Sequence, residues 1–168
     1  MPRIEGPASR KRRILVAAAI SRLLYGAEIW AESLSTYTTA RDKIRKAQRG
    51  VVVSSNRAYK NVSGIAALII AEMIPADLFT EEKREIYHDR IDKKEAREKT
   101  RRKWTEEIRN HRGARWTKEQ IQDPLKWMDR AHGDQEHETV QFLSGHGCFG
   151  TYRKKIGKSN SNVETAKD

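Results

Sequence analysis

The sequence predicts an all-α protein: an irregular helical bundle with one long charged helix and a disordered carboxy-terminal tail. Three observations support this fold class. Apolar residues recur at steps of three and four, which is the period of an amphipathic helix. Residues that start helices, such as Ser63 and Pro75, precede these stretches. Acid-first pairs at i, i+4, such as Glu95 and Lys99, support an exposed helix where the apolar stripe fades.

The amino-terminal part is expected to form two helices. A single helix is predicted from Ala8 to a break at residues 33–36, because one apolar stripe runs through Ile20, Leu23, Leu24, Ala27, Trp30 and Ala31. We assign Ser35 as the N-cap of a second helix that runs towards Ser54. The three valines at residues 51–53 fit the end of this helix or a short strand equally well.

A short apolar helix and a longer helix are expected next. Ser63 is predicted to cap a helix over residues 64–73, and a short segment that is apolar all round is usually buried. Pro75 fits the first turn of the following helix, where its missing N–H costs nothing. The apolar stripe of that helix ends at Asp92. Residues 92–102 are then either a solvated helical rod or a partly disordered linker.

The rest of the chain is predicted as short helices joined by turns. Thr117, with Gln120 three residues on, matches a capping box, and Pro124 favours a helix over residues 124–132. A last helix is expected over residues 136–144, before a polar tail. The predicted core residues of the bundle are Leu24, Trp30, Ile69, Phe79, Tyr87 and Phe142.

Composition and charge narrow the class of protein. The 168 residues include 34 Lys and Arg against 23 Asp and Glu, a net charge of +11. This surplus favours polyanionic partners such as nucleic acid. The longest apolar runs, at residues 14–20 and 65–70, are far shorter than the roughly 18–20 residues of a membrane-spanning helix, so no membrane partner is expected. The single cysteine, Cys148, excludes an internal disulfide.

The amino terminus bears on location in the cell. It is rich in arginine and poor in acids, which is also a feature of mitochondrial transit peptides. Arg22 interrupts the apolar stretch that a secretory signal requires. We expect a nuclear or cytoplasmic location rather than mitochondrial targeting.

No motif for catalysis is found in the sequence. It contains no glycine-rich phosphate loop, no nucleophile elbow and no His-Glu-x-x-His. His146 and Cys148 lie two residues apart, but zinc needs at least three protein ligands, so a structural turn is favoured over a metal site. We therefore expect no catalytic residue, no bound metal and no cofactor.

Clusters of cations carry the strongest functional signal. Residues 10–13 are four cations in a row, and residues 93–115 hold ten cations against four acids. Cations neutralise phosphates, and aromatic faces stack on unpaired bases. Trp104 and Trp116 each follow a cation directly and are predicted to stack on bases; the alternative is that they lie in the core beneath a solvated charged surface. The predicted phosphate contacts are Arg10, Lys11, Arg12, Arg13, Lys43, Arg45, Lys46, Arg49, Arg101, Arg102, Lys103, Arg153, Lys154 and Lys155.

Five stretches of the chain form an ordered set of motifs. They are LLYGAEIWAE at residues 23–32, AQR and AYKNVS within residues 47–63, IAEMIPADL at residues 70–78, EEKREIY at residues 81–87 and QFLSGHGCF at residues 141–149. Together they resemble the region downstream of the polymerase core in reverse transcriptases of insect non-LTR (LINE-type) retrotransposons. The matches come in the right order over almost the whole chain.

This resemblance implies an architecture and a role. In that family the region carries the thumb, whose helices typically clamp the template–primer duplex, and the linker that follows it. The implied segments are a leader at residues 1–7, a thumb-like helical bundle at 8–92, a basic helical linker at 93–115, a small helical segment at 116–157 and a disordered tail at 158–168.

The chain also departs from the family's pattern. No Ala-Asp-Asp occurs in the sequence, and phosphoryl transfer needs such carboxylates to hold two metal ions. Family members usually continue past Gly-His-Gly-Cys-Phe into a zinc knuckle, but residues 159–162 hold no cysteine and Asp168 stands in place of the knuckle histidine. We therefore expect a truncated or decayed element copy that does not polymerise DNA.

The expected function is that of a non-catalytic fragment of a retrotransposon reverse transcriptase (an RNA-directed DNA polymerase) that binds an RNA–DNA hybrid or DNA. One alternative is a helical protein-interaction module, whose apolar face at residues 8–33 has lost its polymerase partner and forms a homo-oligomer. Another alternative is a decayed copy with no function.

Overall fold

The structure is a computed structural model that describes residues 9–130 and 136–146. All regular secondary structure in these two ranges is helical, which confirms the predicted all-α fold class. The leader at residues 1–7 and the tail at residues 158–168 lie outside the described residues. The helices are α1 (Ser9–Leu23), α2 (Ala27–Thr36), α3 (Thr38–Ser55), α4 (Gly64–Ile70), α5 (Ala76–His88), α6 (Lys93–Asn110), α7 (Arg115–Gln120), α8 (Pro124–Asp129) and α9 (His137–Ser144).

Two buried clusters hold the helices together. The first joins α1, α2, α3 and the start of α5 and is formed by Val16, Ile20, Leu24, Leu34, Ile44 and Ala76. The second surrounds α4, of which residues 66–70 are all buried, and it includes Trp104 of α6 and Val140 of α9. Met73 and Phe79 pack against both clusters. The core is therefore continuous from α1 to α9.

The amino-terminal helix that the sequence predicts as a single element is two helices, α1 and α2, bent by 75°. Gly26 lies between them with a φ of 64°, a left-handed conformation that glycine adopts without steric cost. The indole N–H of Trp30 donates a hydrogen bond to the carbonyl oxygen of Tyr25 across the turn, at 2.9 Å. Leu24 and Ala27, on either side of the turn, are both buried. The apolar stripe therefore continues through the turn, and the sequence does not reveal the break.

Within the described ranges no single helix is long and apolar enough to span a membrane. Helices α1 and α2 reach that length and hydropathy only together, as this bent pair.

The next three helices follow their predicted signals with small shifts. Ser35 lies inside α2 and does not cap α3. Residues 51–53 are helical, so the strand alternative is wrong. Ser63 caps α4 as predicted, because its Oγ accepts a hydrogen bond from the N–H of Ala66 at 3.2 Å. Pro75 directly precedes α5.

The long charged helix, α6, is not the solvated rod or linker that the sequence suggests. Asp92 caps it, because its Oδ2 accepts a hydrogen bond from the N–H of Lys94 at 2.8 Å. One face of the helix is buried in the bundle at four-residue spacing, through Ala96, Thr100, Trp104 and Ile108. Alanine and threonine form half of this stripe, so the apolar pattern fades in the sequence although the buried face continues.

The carboxy-terminal helices are held by side-chain hydrogen bonds to the backbone. Thr117 is not the predicted N-cap, since α7 already begins at Arg115. Its buried Oγ1 instead donates to the carbonyl oxygen of Leu143 at 2.9 Å, which fastens α7 to α9. Asp123 caps α8 by accepting two N–H groups of its first turn, each at 3.1 Å.

The predicted core is right in part. The prediction is wrong for Tyr87 and Phe142, which are 58% and 42% exposed. Tyr87 lies in the last turn of α5, and Phe142 packs edge-on against Trp116 at the surface. The other four predicted core residues are buried or half-buried: Leu24, Ile69, Trp30 and Phe79.

Candidate nucleic-acid interface

Positive charge is concentrated on α1 and α3, which pack against each other. The two helices hold ten cations and one acid, Asp42, a net charge of +9. The start of α1 lies against the end of α3, since Val16 and Val52 line one cavity. Among the described helices no other packed pair carries so large a surplus of positive charge.

Five cations of this pair are exposed and form no ion pair within the described part of the chain. One of them, Arg41, lines a cavity together with Asp77 and Glu107. We call the other four the α1–α3 face: Lys11, Arg22, Lys43 and Lys46. The sequence pattern predicted three of them as phosphate contacts and missed Arg22, because it stands outside any run of cations. A phosphate backbone can contact these residues without breaking an internal ion pair.

The cation run at residues 10–13 adjoins this face. Arg13 forms an ion pair with Glu72, Nη2 to Oε2 at 3.2 Å, while 56% of its side chain stays exposed. Such an exposed pair is worth little in water, so a phosphate can compete for Arg13. Arg12 is half-buried and has contacts inside the protein. Arg10 lies in α1, and its side chain is outside the described part.

Arg45 is a structural cation and not the predicted phosphate contact. Its Nε and Nη2 donate to the two carboxylate oxygens of Asp77 at 2.8 and 2.6 Å, and its Nη1 and Nη2 donate to Glu107. Burial lowers the pKa of the Arg45 guanidinium, but hydrogen bonds and charge from Glu107 and Asp77 outweigh burial and raise the pKa above its ordinary value. Asp77 is buried, so Arg45 compensates its charge and ties α3 to α5 and α6.

Arg49 also serves the fold. Its Nη2 donates hydrogen bonds to the carbonyl oxygens of Lys60 and Val62 at 2.5 and 2.7 Å. These bonds fasten the connection between α3 and α4. Arg49 was predicted to contact phosphate, but in the structure its guanidinium holds the loop between α3 and α4.

Most cations on the inner side of α6 are paired with acids elsewhere in the bundle. Glu82 and Glu85 of α5 are buried, and buried carboxylates need such partners. The hydrogen bond from Lys99 to Glu85 raises the pKa of Lys99, so its ammonium group stays charged. The predicted phosphate contacts Arg101 and Lys103 also form ion pairs within the fold, with Asp129 and Glu81, which are themselves partly exposed. The pairs are Arg97 with Glu82 (3.2 Å), Lys99 with Glu85 (2.7 Å), Lys103 with Glu81 (2.6 Å) and Arg101 with Asp129 (2.9 Å).

The outer side of α6 carries both signs of charge. Arg102 is exposed as predicted, but Glu98 and Glu106 stand four residues before and after it. Opposite charges at this spacing attract each other. The exposed charged residues of α6 are four cations and three acids: Lys93, Lys94, Arg102, Arg109, Glu95, Glu98 and Glu106. A phosphate backbone therefore meets nearly as much repulsion as attraction there.

The two predicted stacking residues differ in exposure. Trp104 is only 1% exposed, so no face of its ring is accessible to a base and the core alternative is correct. Trp116 is partly exposed, and its indole N–H donates to the carbonyl oxygen of Phe142 at 2.6 Å. Of the two tryptophans, only Trp116 lies at the surface, where a base can stack on its ring.

The carboxy-terminal candidates lie largely beyond the described ranges. Arg153, Lys154, Lys155 and Cys148 fall outside them. His146 is described, and its Nδ1 lies 2.7 Å from the carbonyl oxygen of Ser144. Among the described residues no group of three or more His, Cys, Asp or Glu side chains is placed to hold a metal ion.

Comparisons with known proteins do not identify a family or a function for this chain. No protein-family model, no curated protein and no solved structure matches this chain. The resemblance to retrotransposon reverse transcriptases stays a prediction from the five ordered motifs.

Proposed function

We propose that this chain binds nucleic acid through phosphate contacts of the α1–α3 face, without catalysis of its own. The observation that carries the proposal is the ratio of ten cations to one acid on two packed helices. Five of these cations, four of which form the α1–α3 face, are exposed and unpaired within the described part. Cations held on rigid helices contact phosphates without having to be ordered first. Their spread over two helices fits a polyanion better than a single small anion.

The sequence motifs support the same role. In the reverse transcriptases that the chain resembles, this region belongs to the thumb, which typically clamps the template–primer duplex. We propose that the chain is a non-catalytic part of such an enzyme and binds an RNA–DNA hybrid or the target DNA. Because the cations on the inner side of α6 are paired within the fold, we place this contact on α1 and α3.

The salt dependence of binding tests the proposal. A labelled RNA–DNA hybrid is titrated with the protein between about 50 and 200 mM KCl, and binding is followed by fluorescence anisotropy. Four phosphate contacts give a slope of about −3.6 in log affinity against log salt, so the affinity falls by about 100-fold over this range. Absence of binding near about 50 mM salt, or an affinity that salt does not change, contradicts the proposal.

A second candidate function, self-association, is favoured by exposed apolar side chains on α1, on α2 and in the turn between them. Four large apolar side chains there are between 63% and 86% exposed: Ile14, Leu15, Tyr25 and Ile29. Exposed apolar surface of this kind marks interaction sites. In addition, α1 has five cations and no acid, whereas α2 has two acids and no cation. A two-fold symmetric dimer would therefore gain by placing α1 of one copy against α2 of the other.

Size-exclusion chromatography with light scattering tests this candidate. We expect a dimer whose population grows with protein concentration and falls when Ile14 and Ile29 are both replaced by serine. A monomer at every concentration counts against self-association and leaves the nucleic-acid proposal intact.

A further inference from the structure

A cavity of about 230 Å³ opens beside the cation run of α1. It lies between the start of α1, the end of α3 and the segment that follows α4, and Met128 of α8 contributes to its lining. Val16, Val52 and Met73 supply further apolar wall. Arg13 also lines the cavity while much of its side chain is exposed, so a cation stands where the cavity meets solvent.

Besides the two arginines and Ser55, two polar side chains line this cavity. Asn56 lines it, and the Nδ2 of Asn56 is buried without a hydrogen-bond partner. A buried donor of this kind is costly unless an acceptor reaches it. Glu72 lines the cavity as well, with one carboxylate oxygen on Arg13 at 3.2 Å and the other on Arg130 at 2.5 Å. The polar wall therefore offers one unused donor beside a carboxylate acceptor.

The backbone at this wall is set by the end of α4. Glu72 has a φ of 59°, the left-handed conformation that commonly ends a helix. The N–H groups of Glu72 and Met73 donate to the carbonyl oxygens of Ile69 and Leu68 at 3.1 and 3.0 Å. The ion pairs with Arg13 and Arg130 orient the Glu72 carboxylate.

The shape and chemistry of the cavity define its ligand. The volume is below the roughly 300–1,000 Å³ of pockets for drug-sized ligands, so it suits one small ring system. Apolar walls fit a flat aromatic face, whereas the polar wall requires an edge with both an acceptor, for Asn56, and a donor, for Glu72. A nucleobase has this combination, and its phosphate extends towards a cation such as Arg13. A sugar lacks a flat aromatic face, and an aliphatic acid lacks the donor.

We propose that this cavity binds one unstacked base of the nucleic acid that the α1–α3 face holds. This inference rests on the proposed function and adds a contact that phosphate binding does not require. Proteins that bind single strands commonly place unstacked bases against apolar side chains. The expected ligand is thus a single strand, or the single-stranded end of a hybrid, with one base inserted next to Asn56.

Two adjacent alanines of α1 provide a matched test. Ala17 lines the cavity and is exposed on its other side, whereas Ala18 is exposed and does not line it. Ala17→Trp fills the cavity, and Ala18→Trp adds the same ring to the outer surface. The probes are a labelled DNA strand of about ten nucleotides and an abasic strand with the same number of phosphates.

We expect the wild-type protein and Ala18→Trp to bind the base-containing strand about tenfold more tightly than the abasic strand. Ala17→Trp is expected to bind both strands equally, with the salt dependence of the wild type. Asn56→Ala, which adds no volume, is expected to reduce the preference as well. Equal affinity of the wild type for the two strands overturns the base site and leaves phosphate binding standing, whereas absence of binding to either strand contradicts both proposals.

Discussion

Replacing Arg45 with methionine is expected to lower the free energy of unfolding by about 3 kcal/mol. The guanidinium of Arg45 lies between Asp77, which is buried, and Glu107. Removing one member of a buried ion pair typically costs about 3–5 kcal/mol because the remaining charge is left uncompensated. The side chain of Arg45 keeps 30% exposure, which places the cost at the lower end of that range. Urea unfolding followed by circular dichroism measures it.

Lys46→Met is the matched control, because Lys46 is the next residue of α3 and carries the same charge. Lys46 is exposed and has no ion pair in the described part of the chain, so its replacement is expected to change stability by less than about 0.5 kcal/mol. The effect on binding is expected to be reversed, with weaker binding for Lys46→Met and nearly unchanged binding for folded Arg45→Met. Equal stability of the two variants contradicts the structural role of Arg45.

Removing all four cations of the α1–α3 face is expected to abolish most of the affinity for nucleic acid. The variant carries glutamine at Lys11, Arg22, Lys43 and Lys46, which keeps the helices polar and well formed. Each lost phosphate contact reduces the salt slope by about 1, and the affinity at about 50 mM salt is expected to fall at least about 100-fold. Stability should remain within about 0.5 kcal/mol for each position, because none of these side chains supports the core.

Local sequence signals predicted those parts of the fold that depend on few residues. Ser63 marks the start of α4 because an N-cap acts within one turn of its own helix. The burial of α4 follows from a segment that is apolar on every side. By contrast, the turn at Gly26 leaves the apolar stripe unbroken, because both flanking helices face the same core. The buried face of α6 was missed because it uses Ala96 and Thr100, which carry little apolar signal.

The candidate site was harder to predict, since a run of cations does not show where its partners lie. Arg45 and Lys46 are neighbours in the sequence, yet one is clamped by two acids from distant helices and the other is exposed. Residues 93–115 have the largest local surplus of cations, but Glu82 and Glu85 of α5 take up Arg97 and Lys99. The acids of α5 recur at helical spacing and are the one sequence signal that points to such pairing. Only the packing of α5 on α6 shows which cation of α6 pairs with which acid of α5.

We propose that the α1–α3 face, and not the net charge of the whole chain, holds nucleic acid. The most direct test is the salt slope for an RNA–DNA hybrid, measured for the α1–α3 variant and for a charge-matched control. The control replaces four exposed cations of α6 and the turn after it with glutamine: Lys94, Arg102, Arg109 and Arg112. We predict that the slope falls from about −3.6 to near zero in the α1–α3 variant and changes by less than about 1 in the control. Equal changes in the two variants would show that the positive charge acts without regard to its place in the fold, which rules out the α1–α3 face as the binding surface.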